Sequence, residues 1–272
     1  MKWNRDSMRD YKLYQRRESR VPHTVKPVVT VNGVTVSFDG FKALDDLDLH
    51  ILQGELRCLI GPNGAGKTTL LDILTGRLRP DRGQVVFEGN TNLLELPEHE
   101  IARIGIGRKF QKPTIFPHHT VWENLELSVQ GDRSVWSTLF RRLAPEKVGK
   151  IEETLEIIGL KDKRHMHAGM ISHGQKQWLE LGMLLVQDPR LLLIDEPVAG
   201  MSEEEAEKTA ELVVSLAGQH SIIIVEHDMH FVRSIAREVT VLHQGRVLFE
   251  GSMQEVQENP TVQEVYLGED HA

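Results

Sequence analysis

The stretch "GELRCLIGPNGAGKTTLLDILTG", Gly54–Gly76, decides how the rest of this chain is read. It opens on an apolar run that stops at Gly61 and closes on leucines and isoleucine at helical spacing. Between them lie Gly61, Pro62, Asn63, Gly64, Ala65 and Gly66, followed by Lys67, Thr68 and Thr69. A strand that enters a helix through such a turn makes an anion cradle. With no Cβ atoms in the way, successive backbone N–H groups curl around phosphate oxygens. Lys67 supplies a mobile cation for the β- and γ-phosphates, and the Thr68 hydroxyl is a ligand for Mg²⁺.

The spacing G-x-x-x-x-G-K-[ST] in a strand-to-helix context defines a P-loop and leaves GTPase, kinase, helicase and transporter motor open. "LLLIDEP" narrows the field. Asp195, at the carboxyl end of a continuous apolar strand, is placed to hold the metal, and Glu196 to polarise a water at the γ-phosphate. His227 closes a second such run, "SIIIVEHD", and is expected at the same sheet edge as a γ-phosphate sensor. Gln111, in "RKFQKP", has no reading from spacing alone. The N-K-x-D base-reading motif of guanine-nucleotide switches is absent.

Composition sets outer bounds. The 272 residues suit one large domain or two intimate ones, and a net charge of −8 argues against a general nucleic-acid binder. The single cysteine, Cys58, excludes an intrachain disulfide, fits a reducing cytoplasm and reads as a core residue. No apolar run is long enough to cross a bilayer, and the opening residues lack the apolar region of a signal peptide. Residues 1–26 are basic and read as a flexible solvated extension; Trp3, Tyr11 and Tyr14 among arginines leave anionic lipid or RNA as the alternative. His118-His119 and His165/His167 read as solvated loop residues, because zinc needs more ligands at set spacings. Strand patterns alternate with helical ones from residue 27 to 272, and a helical block occupies about 115–186. The expected fold is therefore α/β, with a mainly parallel core sheet, an antiparallel β subdomain and an inserted helical subdomain.

Upstream of Asp195-Glu196 lies "ISHGQKQWLELGML", Ile171–Leu184, a polar helix start with Ser172 at the N-cap. With the P-loop and the Asp-Glu pair, Ile171-Ser172-His173-Gly174-Gln175 resembles the five-residue signature of ABC transporter ATP-binding subunits. The resemblance runs from about Val28 to near the end. It implies an adenine-stacking aromatic, carried onto Phe38, and a Mg²⁺-touching glutamine that signals to the membrane partner, carried onto Gln111. It also implies Glu196 as general base, His227 as switch histidine, and ATP with Mg²⁺ as the bound species. In that family two ATPase subunits face head to tail, so Ser172, His173, Gly174 and Gln175 would meet the other subunit's ATP in trans. Their helix dipole and free amides suit an anion.

Two positions depart from the family pattern: His173 stands where glycine is usual, and Ser202 where many relatives carry aspartate. His173 could reach the partner's nucleotide or pack on a neighbouring loop. "DEPVAGM", "VEHDMHFV", "VLHQGRVLFEGS" and "EVYLG" further resemble the urea-importer branch, with branched-chain amino acid importers as the alternative. The implied partners are a different ATPase chain or a second copy, transmembrane permeases and, indirectly, a periplasmic receptor, but no nucleic acid. The implied location is the cytoplasmic face of the inner membrane. A soluble ABC ATPase is the competing class.

Overall fold

The computed structural model describes residues 26–109, 114–129 and 144–267. Two sheets and a helical block pack around one central layer. The first sheet is antiparallel, in the order β2-β1-β4-β5, from β1 (Pro27–Phe38), β2 (Phe41–Leu52), β4 (Arg82–Phe87) and the short β5 (Thr91–Asn92). The central sheet runs β10-β9-β3-β8-β7-β6. It comprises β3 (Leu56–Ile60), β6 (Ile106–Lys109), β7 (Leu191–Asp195), β8 (Ser221–Val225), β9 (Glu238–His243) and β10 (Arg246–Gly251). All neighbours in it are parallel except the β9–β10 hairpin.

Every residue of β3, β7 and β8 is buried, as expected of parallel strands covered on both faces. Alternation sends Cys58, Ile60, Leu192, Ile194, Ile222 and Ile224 into one core. Their neighbours Leu59, Leu191, Leu193, Ile223 and Val225 point into the other. The second core is closed by α1 (Lys67–Leu74) and the inner faces of β1 and β2. The first is closed by α3 (Val121–Ser128), α4 (Pro145–Ile157), α5 (His173–Leu185), α6 (Glu203–Leu216) and α7 (Met229–Ile235). The short α2 (Glu98–Arg103) and the terminal α8 (Met253–Glu258) and α9 (Pro260–Leu267) complete the elements.

The mixed architecture expected from sequence is therefore present, with β2, β5 and β6 unforeseen. β2 lies in "FKALDDLDLHIL", where Asp46 takes φ 56° and the pairing with β1 shifts register, which blurs the period of two. The hairpin read around Gln244-Gly245 forms with both residues left-handed, at φ 49° and 75°, the signature of a type I′ turn.

Candidate functional site

The site begins where β3 stops. Gly61, Gly64 and Gly66 hold φ of 145°, 78° and 104°, which turns the backbone back on itself before α1. A Cβ on Gly61 would lie 2.1 Å from the Leu242 carbonyl oxygen, and one on Gly66 would lie 2.6 Å from that of Ala43. The turn is thus packed from behind by β9 and β2, while Gly64 has nothing near its Cβ position and opens outward. Gly245 donates its N–H to Ala65 at 3.1 Å, so the I′ turn braces the same loop. Pro62 and Ala65 are buried, Asn63 and Thr68 exposed, and Thr69 half-buried. Lys67 folds inward and donates to the carbonyls of Gly61 and Pro62 at 2.6 and 2.8 Å, which curls the loop around its ammonium group.

Strand order then brings the acids. β8 lies between β3 and β7, with Val225 level with both Leu59 and Asp195. Gly61, Asp195-Glu196 and Glu226-His227 therefore emerge together at the carboxyl edge, the usual place for a ligand in a parallel sheet. The Asp195 carboxylate is buried against Arg108, whose guanidinium also donates to Asp72 of α1 at 2.5 Å; its distance to Asp195 is 3.2 Å. Glu196 sits at φ 48°, a left-handed position that a non-glycine residue seldom takes, with its N–H donated to Val225 at 2.9 Å. Its Oε1 lies 3.5 Å from Nε2 of His227.

Glu226 had no role in the sequence reading. Buried at the end of β8, it accepts from the N–H groups of His227 at 2.6 Å, Asp228 at 3.1 Å and Val198 at 3.4 Å. One carboxylate thus ties the loop after Glu196 to the turn that presents His227. A second unforeseen acid, Glu180 of α5, is buried 3.9 Å from Lys109 and accepts from both the N–H and hydroxyl of Thr114. Burial raises the pKa of the Glu180 carboxyl and lowers that of the Lys109 ammonium. Burial likewise pushes the Cys58 thiol up to about 12, with the Glu226 charge adding to it, so this sulfur is no nucleophile at neutral pH.

Phe38, half-exposed at 49%, ends β1 and pairs with Phe41 across the Asp39-Gly40 turn; β2 continues from there to Ala43 and Leu44 behind Gly66. Gln111 lies outside the described residues. The signature residues are not part of the P-loop cluster. Ser172 caps α5, accepting from the Gln175 N–H at 3.2 Å while the Gln175 side chain receives the Ser172 N–H at 3.1 Å. His173 turns Nε2 to the Ala199 carbonyl at 3.3 Å, in the loop that follows Glu196. Of its two sequence readings, this chain by itself shows the loop contact. Ser202 caps α6 through the same type of capping box, with Glu205 as its partner. Nδ1 of His167 lies 3.0 Å from the His118 carbonyl and His119 lies 3.6 Å from Glu123, with no cluster suited to a metal among the described residues.

A parallel sheet that delivers a glycine turn, a lysine and two strand-end acids to one edge defines a P-loop nucleotide-hydrolysing cassette. The chain belongs to the ABC transporter family, whose model matches residues 44–199, and a branched-chain amino acid ATP-binding cassette transporter model matches residues 246–272. It is 36% identical over 253 residues to the high-affinity branched-chain amino acid transport ATP-binding protein LivG of Salmonella typhimurium. That match spans 90% of this chain and 99% of the relative. It is 34% identical to the corresponding protein BraF of Pseudomonas aeruginosa, over the same shares of both chains. Among solved structures, a nucleotide-free ATP-binding cassette from an ABC transporter aligns with TM-score 0.76 and 30% identity, over 88% of this chain and 98% of that one. An ATP-binding cassette in its ADP conformation aligns with TM-score 0.76 and 31% identity, over 89% and 99%. These relatives favour the branched-chain amino acid alternative over the urea branch expected from sequence. No helix among the described residues is long and apolar enough to cross a membrane.

Proposed function

We propose that this chain is the ATP-hydrolysing subunit of an importer for branched-chain amino acids, working peripherally on transmembrane permeases. The observation that supports it most is the meeting of Gly61, Asp195-Glu196 and His227 at one sheet edge, while the capped signature start lies on a separate element, α5. One subunit has a complete phosphate cradle and a second anion site it does not use on its own nucleotide. Two subunits placed head to tail, a second copy or a related chain, would use both.

In this reading, backbone amides of residues 61–69 and the Lys67 ammonium grip the triphosphate, and Phe38 stacks on the adenine. Base stacking of this kind contributes about 1–3 kcal/mol to affinity. The donor set fits a magnesium ion: an exposed Thr68 hydroxyl at the start of α1, and the Asp195 carboxylate oriented by Arg108. Gln111 is the third residue assigned to it. The ion, when bound, neutralises phosphate charge. Glu196 accepts the proton of the attacking water, and His227, 3.5 Å away, fixes the carboxylate's direction. Ser172, His173, Gly174 and Gln175 complete the paired subunit's site. The helical subdomain is assigned to about 115–186 and the cassette to 27–272.

Glu196→Gln tests the assignment. It should retain ATP binding while hydrolysis drops by about 10²–10⁴-fold, the usual worth of a general base. Undiminished hydrolysis refutes the role. For the solute, proteoliposomes containing the chain with its permeases and receptor should take up leucine on addition of ATP; uptake of urea in its place would return the urea reading.

A further inference from the structure

The helix start reserved above for a paired subunit's phosphate already holds an anion in the lone chain. Glu205, half-buried in the first turn of α6, receives the N–H of Ser202 on Oε2 at 3.3 Å. Its Oε1 accepts the Ser172 hydroxyl at 2.9 Å. The Gly174 backbone N–H adds to the pull that holds this carboxyl's pKa down. A Cβ on Gly174 would lie 2.5, 2.6 and 3.0 Å from the three carboxylate atoms, so the acid fills the space that the missing side chain leaves. One negative charge is thus shared by the amino ends of α5 and α6, helices of 13 and 14 residues.

We propose that Glu205 is an internal ligand of the signature turn, holding the anion position that a paired subunit's γ-phosphate takes when two subunits close. The inference rests on the head-to-tail reading of the signature given above. The same hydroxyl and the same amide serve both anions, and two anions cannot share them at hydrogen-bond distance without strong repulsion. Closure therefore requires Glu205 to turn away, and the residue sets how much ATP is needed to bring the pair together. It competes with the reaction's substrate without touching its chemistry.

Removal of the charge alone is the test. Glu205→Gln keeps the cap on α6, because serine with glutamine three residues on is the capping box that α5 itself uses. In a Glu196→Gln background, which holds ATP unhydrolysed, pairing is followed by sedimentation against ATP concentration, with thermal unfolding as a control. The ATP needed for half-maximal pairing should fall about tenfold on Glu205→Gln, and the gain should shrink in high salt. An unchanged or higher midpoint overturns the inference and makes Glu205 a strut that positions Ser172. No ATP-dependent pairing in either protein would instead remove the head-to-tail reading for two copies of this chain, and the inference with it.

Discussion

Gly61 is fixed by two constraints at once, a φ of 145° and a Leu242 carbonyl only 2.1 Å from where a Cβ would stand. Backbone cannot retreat as a flexible side chain can, so Gly61→Ala should destabilise the fold by about 1–3 kcal/mol, read from the midpoint of urea unfolding. Lys67 gives a different expectation. Its ammonium now satisfies two carbonyls of its own loop, and those contacts are what a triphosphate would take over. Lys67→Ala should weaken ATP binding at least about tenfold by titration, through loss of one charge-assisted contact and of the two carbonyl contacts that curl the loop. Unchanged affinity would contradict the cradle assignment.

At the level of elements, Arg108 matters more than its place in "RKFQKP" suggested. It joins α1, β6 and β7 through Asp72 and Asp195, all out of contact in sequence. Arg108→Met removes the guanidinium that donates to Asp72 and to the buried Asp195, and should cost about 3–5 kcal/mol, measured by denaturant unfolding. The Ser172–Glu205 contact between α5 and α6 gives a pH signature. Hydrogen bonding from Ser172, ahead of the backbone donors, holds the Glu205 carboxyl below its ordinary 4.5. A depressed acid contributes stability above its unfolded pKa and loses it as pH falls through the folded value. Wild type should therefore lose more melting temperature than Glu205→Gln as pH drops below 4.5, and equal losses would contradict the contact. These links also mark the limit of what the sequence disclosed. β3, α1, β7 and β8 were legible because uninterrupted apolar runs ending in glycine or acids have few other interpretations. β2 was hidden by its aspartates and left-handed Asp46, and β6 by its short span and paired cations. Glu180, Glu205 and Glu226 act on residues 66, 33 and 28 positions away, a range that no local period encodes.

For the whole molecule, the decisive property is separation. The phosphate cradle and the signature start lie on different elements, and each subunit would complete the other's site. Ser172→Arg should leave ATP binding by the lone chain within about twofold of wild type, yet abolish ATP-dependent activity of the assembled pair, because in the proposed head-to-tail pair the added bulk and charge would meet the other subunit's nucleotide. Normal activity in the assembly would count against the trans contact. The backbone of Glu196 has a consequence at this scale too. A non-glycine residue held at φ 48° costs on the order of 1 kcal/mol, and glycine does not bear that cost. Glu196→Gly should consequently give a chain that survives more heat than its parent and turns over no ATP. Selection for durability alone would drift toward that inert form; on the proposed assignment, the working subunit keeps a slightly less robust fold because its proton acceptor has to stand there.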